Sequence, residues 1–216
     1  MTAPEANQLH NPFLRNGKIW PEIRIDCTSF DPDLSLLSGE TIMLTFPTQK
    51  WIELVARAKS VTSLFVDRPK AKDLNPLGAL NLKNFTVSYP SHVKDWSFLQ
   101  KFSSLLRLAL HNTLSIQDLE IVGGLKQLEV FQLSGGYSKV LRLPSLVPLA
   151  GLKNLKVIGF AGVRFKNWSL SPLFNSPELR RFDCPLWWPK EEISALARQN
   201  TKLCSNYFEW EEGLLN

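Results

Sequence analysis

Hydrophobic residues recur along this chain in a short phrase, in which one apolar residue is followed by two others, three and five positions further on. Six copies are present, and their first residues lie 21, 23, 23, 27 and 24 positions apart. Self-similarity at this kind of period indicates a repeat architecture. The six copies are Val61-Leu64-Val66, Leu82-Phe85-Val87, Leu105-Leu108-Leu110, Leu128-Phe131-Leu133, Leu155-Ile158-Phe160 and Leu179-Phe182-Cys184.

Each copy of the phrase predicts a strand that follows a helical segment. Its last two apolar residues are two positions apart, which is the period of a strand with one buried face. Ahead of each strand the apolar spacing changes to three, as in Leu146, Leu149 and Leu152 before Leu155. That spacing keeps apolar side chains on one face of a short helix or 3-10 turn. Neither element can bury its apolar face alone, so the units are expected to stack on one another.

This unit resembles the leucine-rich repeat family in its short-repeat form, whose strands read L-x-x-L-x-L. Residues 148–158 match that pattern most closely, and the resemblance covers about two thirds of the chain. It implies an α/β fold, a solenoid with a curved parallel sheet on its concave side and short helices or 3-10 turns on its convex side. The family's asparagine after the strand is replaced in all six copies, so the turns must satisfy their backbone groups in another way.

Three regions are expected along the chain, because an open stack needs caps that shield its terminal cores. They are an N-terminal cap with a flexible start and strands at 1–47, about six leucine-rich repeats at 48–188, and a C-terminal cap helix with a tail at 189–216.

Individual elements of the caps follow from local pattern. Strand-like alternation predicts strands over 23–27 and 41–46, and apolar spacing predicts a helix over 48–59. A proline at the first helical position followed by glutamates predicts a helix over 189–199. A last strand is expected within 203–210.

The residues between the buried strand positions must point outward, toward the concave face. They are small or of mixed polarity, with neither a block of charge nor an aromatic stripe. Permissive surface positions would carry similar residues, so a binding face and a plain surface both remain open. The candidates for partner contact on this face are Phe65, Arg107, His111 and Gln132.

The turns after the strands carry larger side chains, among them Arg68, Tyr89, His92, Lys139 and Lys166. Aromatic and arginine side chains are typical of interface hot spots. For the two adjacent tryptophans the alternative is packing against the cap helix. The candidates for partner contact in the turns are Tyr137, Arg164, Phe165, Trp187 and Trp188.

Composition narrows the class of protein. With 44% hydrophobic and 21% charged residues the chain has a globular balance, which excludes disorder. The formal net charge is +5, but the lysines and arginines are scattered and form no run of five. A solvated basic surface is therefore favoured over a nucleic-acid groove.

The cysteines and the hydropathy bear on the compartment. Cys27, Cys184 and Cys204 are an odd number at wide spacing without a C-x-x-C motif, which is typical of a reducing compartment. Residues 1–18 lack the apolar core of a secretory signal, and no apolar stretch approaches 18 residues. The sequence therefore predicts a cytoplasmic protein without a membrane span.

Catalysis is not predicted. The chain has three histidines, His10, His92 and His111, and they belong to different structural zones. His111 and Asp67 share the concave face, but two units separate them, too far for contact at about 4.8 Å per strand. No phosphate-binding, nucleophile-elbow or zinc-protease motif is present. No enzyme activity, cofactor or metal is expected.

The pattern favours a non-catalytic protein–protein interaction module, monomeric or heterodimeric. The leading hypothesis, by analogy with the family, is an immunity protein that binds a cognate bacterial toxin and neutralises it by occlusion. The alternative is a regulatory adaptor that recruits an enzyme to its substrate. Nucleic-acid binding is a third and less favoured class, which the basic pI suggests. Its support is a column of lysines, Lys59, Lys126 and Lys153, and a solvated flank explains that column equally well.

Overall fold

A computed structural model of the chain describes residues 23–136, 139–185 and 187–206, together with the backbone of two short strands near the N-terminus. These strands, β1 (Leu14–Arg15) and β2 (Lys18–Ile19), pair with each other in antiparallel orientation. The flexible start that the sequence predicts lies outside the described residues.

Eight of the described strands form one parallel sheet, in which each strand pairs with the next along the sheet without any change of direction. The last six are the strands that the repeated phrase predicts, so that prediction is confirmed. From one edge to the other they are β3 (Ile23–Asp26), β4 (Thr41–Thr45), β5 (Ser63–Asp67), β6 (Asn84–Ser88), β7 (Arg107–His111), β8 (Val130–Ser134), β10 (Val157–Ala161) and β12 (Arg181–Asp183). Two further strands, β9 (Leu141–Leu143) and β11 (Val163–Phe165), form a separate parallel pair.

The strands over 23–27 and 41–46 are present as β3 and β4. They pair in parallel with each other and then with β5, through Ile23 with Ile42 and Ile42 with Leu64. The sheet of the repeats thus continues through residues assigned to the N-terminal cap. The apolar residues of these strands fall in register with those of the repeats, which is the reason that the sheet continues.

Register places the inward side chains of successive strands in rows. The middle apolar residue of each phrase pairs with its counterpart in the next unit, and no member of this row is more than 3% exposed. Burial of side chains of this size contributes about 1.5–3 kcal/mol each. The row consists of Leu64, Phe85, Leu108, Phe131, Ile158 and Phe182.

Short helical segments cover the inner face of the sheet. The α-helices are α1 (Gln49–Val55), α2 (Glu120–Gly123) and α3 (Lys190–Gln199). The first ends at Val55, four residues before the predicted end. The 3-10 segments are Leu34–Leu37, Asn75–Ala79, Ser97–Lys101, Val147–Gly151 and Ser171–Leu173. The spacing of three therefore produces mostly 3-10 turns, because only two or three apolar positions are available per unit.

A polar side chain opens six of these segments by accepting a hydrogen bond from the backbone N–H two residues further on. The acceptor distances range from 2.8 Å at Asp73 to 3.3 Å at Ser145. Such local bonds satisfy donors that a helical start leaves unpaired. The acceptors are Asp33, Asp73, Asp95, Asp118, Ser145 and Ser169.

Helix α3 closes the described part of the stack. Ile193 and Leu196 are buried, and Glu192 Oε2 accepts a hydrogen bond from the Leu170 backbone N–H at 2.7 Å. The predicted helix is confirmed, except that Pro189 precedes its first residue instead of occupying it. Where a last strand was expected, Cys204 forms a single parallel bridge to the sheet; the final positions of that expected strand, 207–210, lie outside the described residues.

No helix in the described ranges is long and apolar enough to cross a membrane.

Candidate functional site

The face of the sheet opposite the helical segments, here called the open face, carries the residues between the apolar strand positions. Strand pairing aligns them in rows that run across the units, and the central row lies at equivalent positions of all eight strands. Its members are small, apolar or polar, and most are partly buried. The central row is Arg24, Met43, Phe65, Thr86, Ala109, Gln132, Gly159 and Asp183.

The four candidates on this face lie on it as expected but do not form one cluster. Phe65 and Gln132 share the central row, with two strands between them. Arg107 lies in the row nearest the strand starts, where its guanidinium donates to Asn84 Oδ1 at 3.5 Å. Asn84 Nδ2 in turn donates to Ser63 Oγ at 2.7 Å, so this row is held by a short polar chain.

His111 ends β7 at the other edge of the open face and pairs in register with Ser88. Burial lowers the pKa of this imidazole, since the charged form loses hydration there. The side chain is therefore neutral over most of the physiological range. Asp67 lies two strands away on the same row, as the sequence predicts.

Two of the predicted turn candidates are core residues, and this is a correction. Phe165 is 3% exposed and Trp188 is 2% exposed. The Trp188 ring packs against Phe160 and Phe182 with centroids 5.8 and 5.2 Å away, and its Nε1 donates to the Trp168 carbonyl at 3.2 Å. Trp188 is therefore a packing residue, as the alternative left open by the sequence supposed, but these ring contacts are with the last repeats and not with the cap helix.

The neighbouring Trp187 has the opposite environment. It is 50% exposed, and the Arg164 guanidinium lies 5.7 Å from its ring centroid. Arg164 is exposed on the outer side of β11. These two candidates are therefore accessible and adjacent. Tyr137 lies outside the described residues.

The residue directly after a strand adopts a left-handed backbone in five units. The φ angles are 55° at Phe46, 47° at Arg68, 52° at Tyr89, 55° at Asn112 and 61° at Gly162. Glycine and asparagine tolerate this conformation, but a Cβ with a bulky side chain makes it cost roughly 1–2 kcal/mol. Three consecutive units thus carry strained, bulky residues at a position where the other two carry tolerant ones.

The same residues show how the backbone groups of the turns are hydrogen-bonded without the family's asparagine. The backbone N–H of Phe46 donates to the Asp67 carbonyl at 2.8 Å, and that of Arg68 to the Ser88 carbonyl at 2.8 Å. Tyr89 repeats the contact with the His111 carbonyl at 2.9 Å. The ladder of the sheet therefore extends one residue into each turn, and the turn backbone itself supplies the donor.

Phe46, Arg68 and Tyr89 form a stack at the edge of the open face, here called the rim column. The Arg68 guanidinium lies 5.1 Å from the Phe46 ring centroid and 5.8 Å from that of Tyr89. Tyr89 is 43% exposed and Arg68 is exposed as well. These distances are those of cation–π contacts between one guanidinium and two rings.

The base of the column contains a buried carboxylate. Asp67 is 7% exposed, and its Oδ2 lies 3.2 Å from Arg68 Nε. Burial raises the pKa of Asp67, and the Arg68 charge opposes that rise. Asp67 thus forms an ion pair with the same guanidinium that contacts the two rings.

Sequence reasoning identified Arg68 and Tyr89 as large turn residues but did not select them, and it missed Phe46. The signal was available, because each of the three follows the last strand residue directly. Phe46 was overlooked because its strand was assigned to the cap and not aligned with the repeats.

In the described ranges, no three histidine, cysteine, aspartate or glutamate side chains are placed to hold a metal ion.

Comparison with solved structures supports the same architecture. Internalin C2 from Listeria monocytogenes superimposes with a TM-score of 0.58 at 22% identity, covering 81% of this chain and 73% of that one. A second internalin from Listeria monocytogenes gives a TM-score of 0.56 at 16% identity, and covers 87% of this chain but 59% of its own. The chain thus spans under two thirds of the length of that second structure. The predicted leucine-rich repeat fold is confirmed.

At the level of sequence, no protein-family model and no curated protein matches the chain.

Proposed function

We propose, from the premise that the chain is a leucine-rich repeat solenoid, that it is a non-catalytic module that binds another protein. The binding surface is the rim column together with the adjoining open face. A sheet whose strands are locked in register by a continuous core offers a preformed surface, so binding orders few groups. Function in this proposal comes from surface recognition and requires no chemistry on the partner.

The observation that carries the proposal is the strained rim column. Its three residues are bulky, left-handed and at least partly exposed, so their side chains return little burial for the backbone strain. Strained conformations of this kind cluster at functional sites. Two aromatic rings around an arginine are also the side chains that dominate protein interfaces. A partner that covers the column would convert exposed ring surface into buried contact.

In its finer form the proposal is that the partner is a toxin, which the module neutralises by covering its active surface in the cytoplasm. Support comes from the preformed surface and from the three cysteines, all of which carry free thiols. Co-expression with a toxin-like product of a neighbouring gene tests this form. Protection of the cells together with a stable complex supports it. A complex with a housekeeping enzyme and no protection would instead support the adaptor role.

The binding surface is tested on the identified complex by two matched double variants. Arg68→Asn/Tyr89→Asn removes the column while placing residues that accept a left-handed backbone. Arg198→Asn/Val147→Asn removes one positive charge and one apolar side chain at exposed positions of helical segments. We expect at least tenfold weaker binding for the first and unchanged binding for the second, since hot-spot truncations commonly exceed about 1.4 kcal/mol. Equal affinities would refute the rim column as the contact surface.

A further inference from the structure

A groove of about 570 Å³ lies beside the separate pair of strands β9 and β11. Three cationic side chains line it: Arg142, Arg164 and Lys166. The partly buried Trp168 and the exposed Trp187 add apolar surface to the same groove, and no described carboxylate lines it. We call this the basic groove.

The two arginines are direct neighbours across the strands. Arg142 and Arg164 are paired Cα partners in a parallel register, so their backbones lie about 4.8 Å apart. The residues on either side of each arginine are buried, and this alternation turns both guanidinium groups outward on the same face. Like charges placed directly opposite each other destabilise a sheet.

Nothing in the described part of the chain neutralises this pair. No described carboxylate lies within ion-pair distance of Arg142, Arg164 or Lys166. The partly buried Lys156, by contrast, has such a partner, because its Nζ lies 2.7 Å from Glu129 Oε1. The groove therefore concentrates positive charge beside two tryptophan rings, without a counter-ion among the described residues.

From this juxtaposition we infer that the basic groove binds an acidic segment of a protein partner, one in which carboxylates flank an apolar or aromatic residue. The carboxylates pair with the cross-strand arginines and Lys166, and guanidinium groups favour carboxylates through paired hydrogen bonds. The apolar residue packs on the rings of Trp168 and Trp187. The inference rests on the proposed function in taking the occupant to be a protein, but it concerns a separate surface.

A peptide fits the groove better than a nucleic acid does. A nucleic acid needs a basic track that follows several phosphates. The central row of the open face carries one arginine among eight residues, so it supplies no such track. A phosphate backbone would make no contact with the apolar lining. An acidic segment with one apolar residue contacts both the cationic and the apolar side chains.

Calorimetric titration of the full chain tests the inference. The probe is a capped peptide in which aspartates and glutamates flank one phenylalanine, and its control replaces the acidic residues by asparagines and glutamines. The charge variant is Arg142→Gln/Arg164→Gln. The matched variant, Arg57→Gln/Arg198→Gln, removes the same charge from exposed positions outside the groove.

We expect the acidic peptide to bind, the neutral peptide not to bind, and the Arg142/Arg164 variant to bind about tenfold more weakly. Binding should also weaken when NaCl is raised from about 0.05 M to about 0.5 M, since exposed pairs are screened. The matched variant should keep the affinity of the original chain.

Three outcomes overturn the inference. Equal weakening by the two variants would mean that net charge alone attracts the peptide. Tighter binding of inorganic phosphate or of an oligonucleotide at the same arginines would assign the groove to another anion. Binding of the peptide only after Glu209, Glu211 and Glu212 are changed to glutamine would assign it to the chain itself. A negative result in this titration does not bear on the proposed role of the rim column, because the Arg68/Tyr89 variant tests that surface separately.

Discussion

The guanidinium of Arg68 lies 5.1 Å from the centre of the Phe46 ring, and both residues have a left-handed backbone. They occupy the same position of successive units, one residue after the strand. Repetition thus builds a contact between residues 22 positions apart, because the parallel register brings each turn beside the next. The strain that each residue carries is local, while the stack that results belongs to the solenoid as a whole.

The backbone strain in the rim column should be measurable as a difference in the free energy of unfolding. Tyr89→Asn should leave the free energy of unfolding unchanged or raise it by up to about 1 kcal/mol, because asparagine accepts a left-handed backbone more readily. Tyr89 is 43% exposed, so little burial is lost. Urea unfolding of the two proteins checks this. A clear loss of stability would mean that the ring serves the fold.

The adjacent tryptophans should respond in opposite ways. Trp188→Ala should lower the free energy of unfolding by about 3–5 kcal/mol, since it empties a buried aromatic cluster. Trp187→Ala should change it by less than about 0.5 kcal/mol, as expected for an exposed position. Comparable losses in a urea titration of both variants would contradict the placement of the two rings.

The repeat register predicts the cost of core truncation. Leu128→Ala and Leu155→Ala each remove a side chain that is 0% exposed, and each should cost about 2–5 kcal/mol through the cavity left behind. Val147→Ala is the control, because its side chain is 59% exposed. Thermal unfolding of the three variants is the measurement, and an equal effect at all three positions would refute the register.

Burial of His111 makes the fold sensitive to acid. Its pKa is lowered from the ordinary value of 6.5, so between the two values the unfolded chain binds more protons than the folded one. Stability therefore falls as the pH drops through that range. Thermal unfolding at neutral and mildly acidic pH should show a larger loss of Tm for the original chain than for His111→Gln. The difference between the two proteins isolates this residue, and identical pH profiles would contradict the prediction.

Thiol reactivity provides a test that needs no substitution. Burial raises the pKa of Cys27 and of Cys184 to about 12, whereas Cys204 is exposed. Because the thiolate is the reactive species, one thiol should react with a disulfide reagent in the folded protein and three in urea. Rapid reaction of three thiols without urea would show that the two ends of the sheet open readily.

The strands were predictable because burial acts directly on local pattern. A phrase such as Leu155-Ile158-Phe160 can hide its apolar side chains only if it alternates against a covered face, and repetition leaves stacking as the way to cover it. The same reasoning failed at Phe165 because the pair β9–β11 was not anticipated. Val163 and Phe165 do alternate around Arg164, but three residues are too few to distinguish a strand from a turn.

The different burial of Trp187 and Trp188 shows what the identity of single residues cannot predict. Both residues are tryptophans, and both precede the cap helix. Which ring enters the core depends on the direction of the chain after β12 and on the space beside Phe160 and Phe182, and these are properties of three units together.

By itself the sequence determined the stack: the apolar spacing dictates which residues are buried, since the hydrophobic effect acts on every unit in the same way. Tertiary structure alone decided which outward residues meet. The rim column and the basic groove both join residues from different units, and their contacts depend on the register and on the left-handed turns after the strands. Local pattern carries no information on such distances, because they arise only when separate units are aligned side by side.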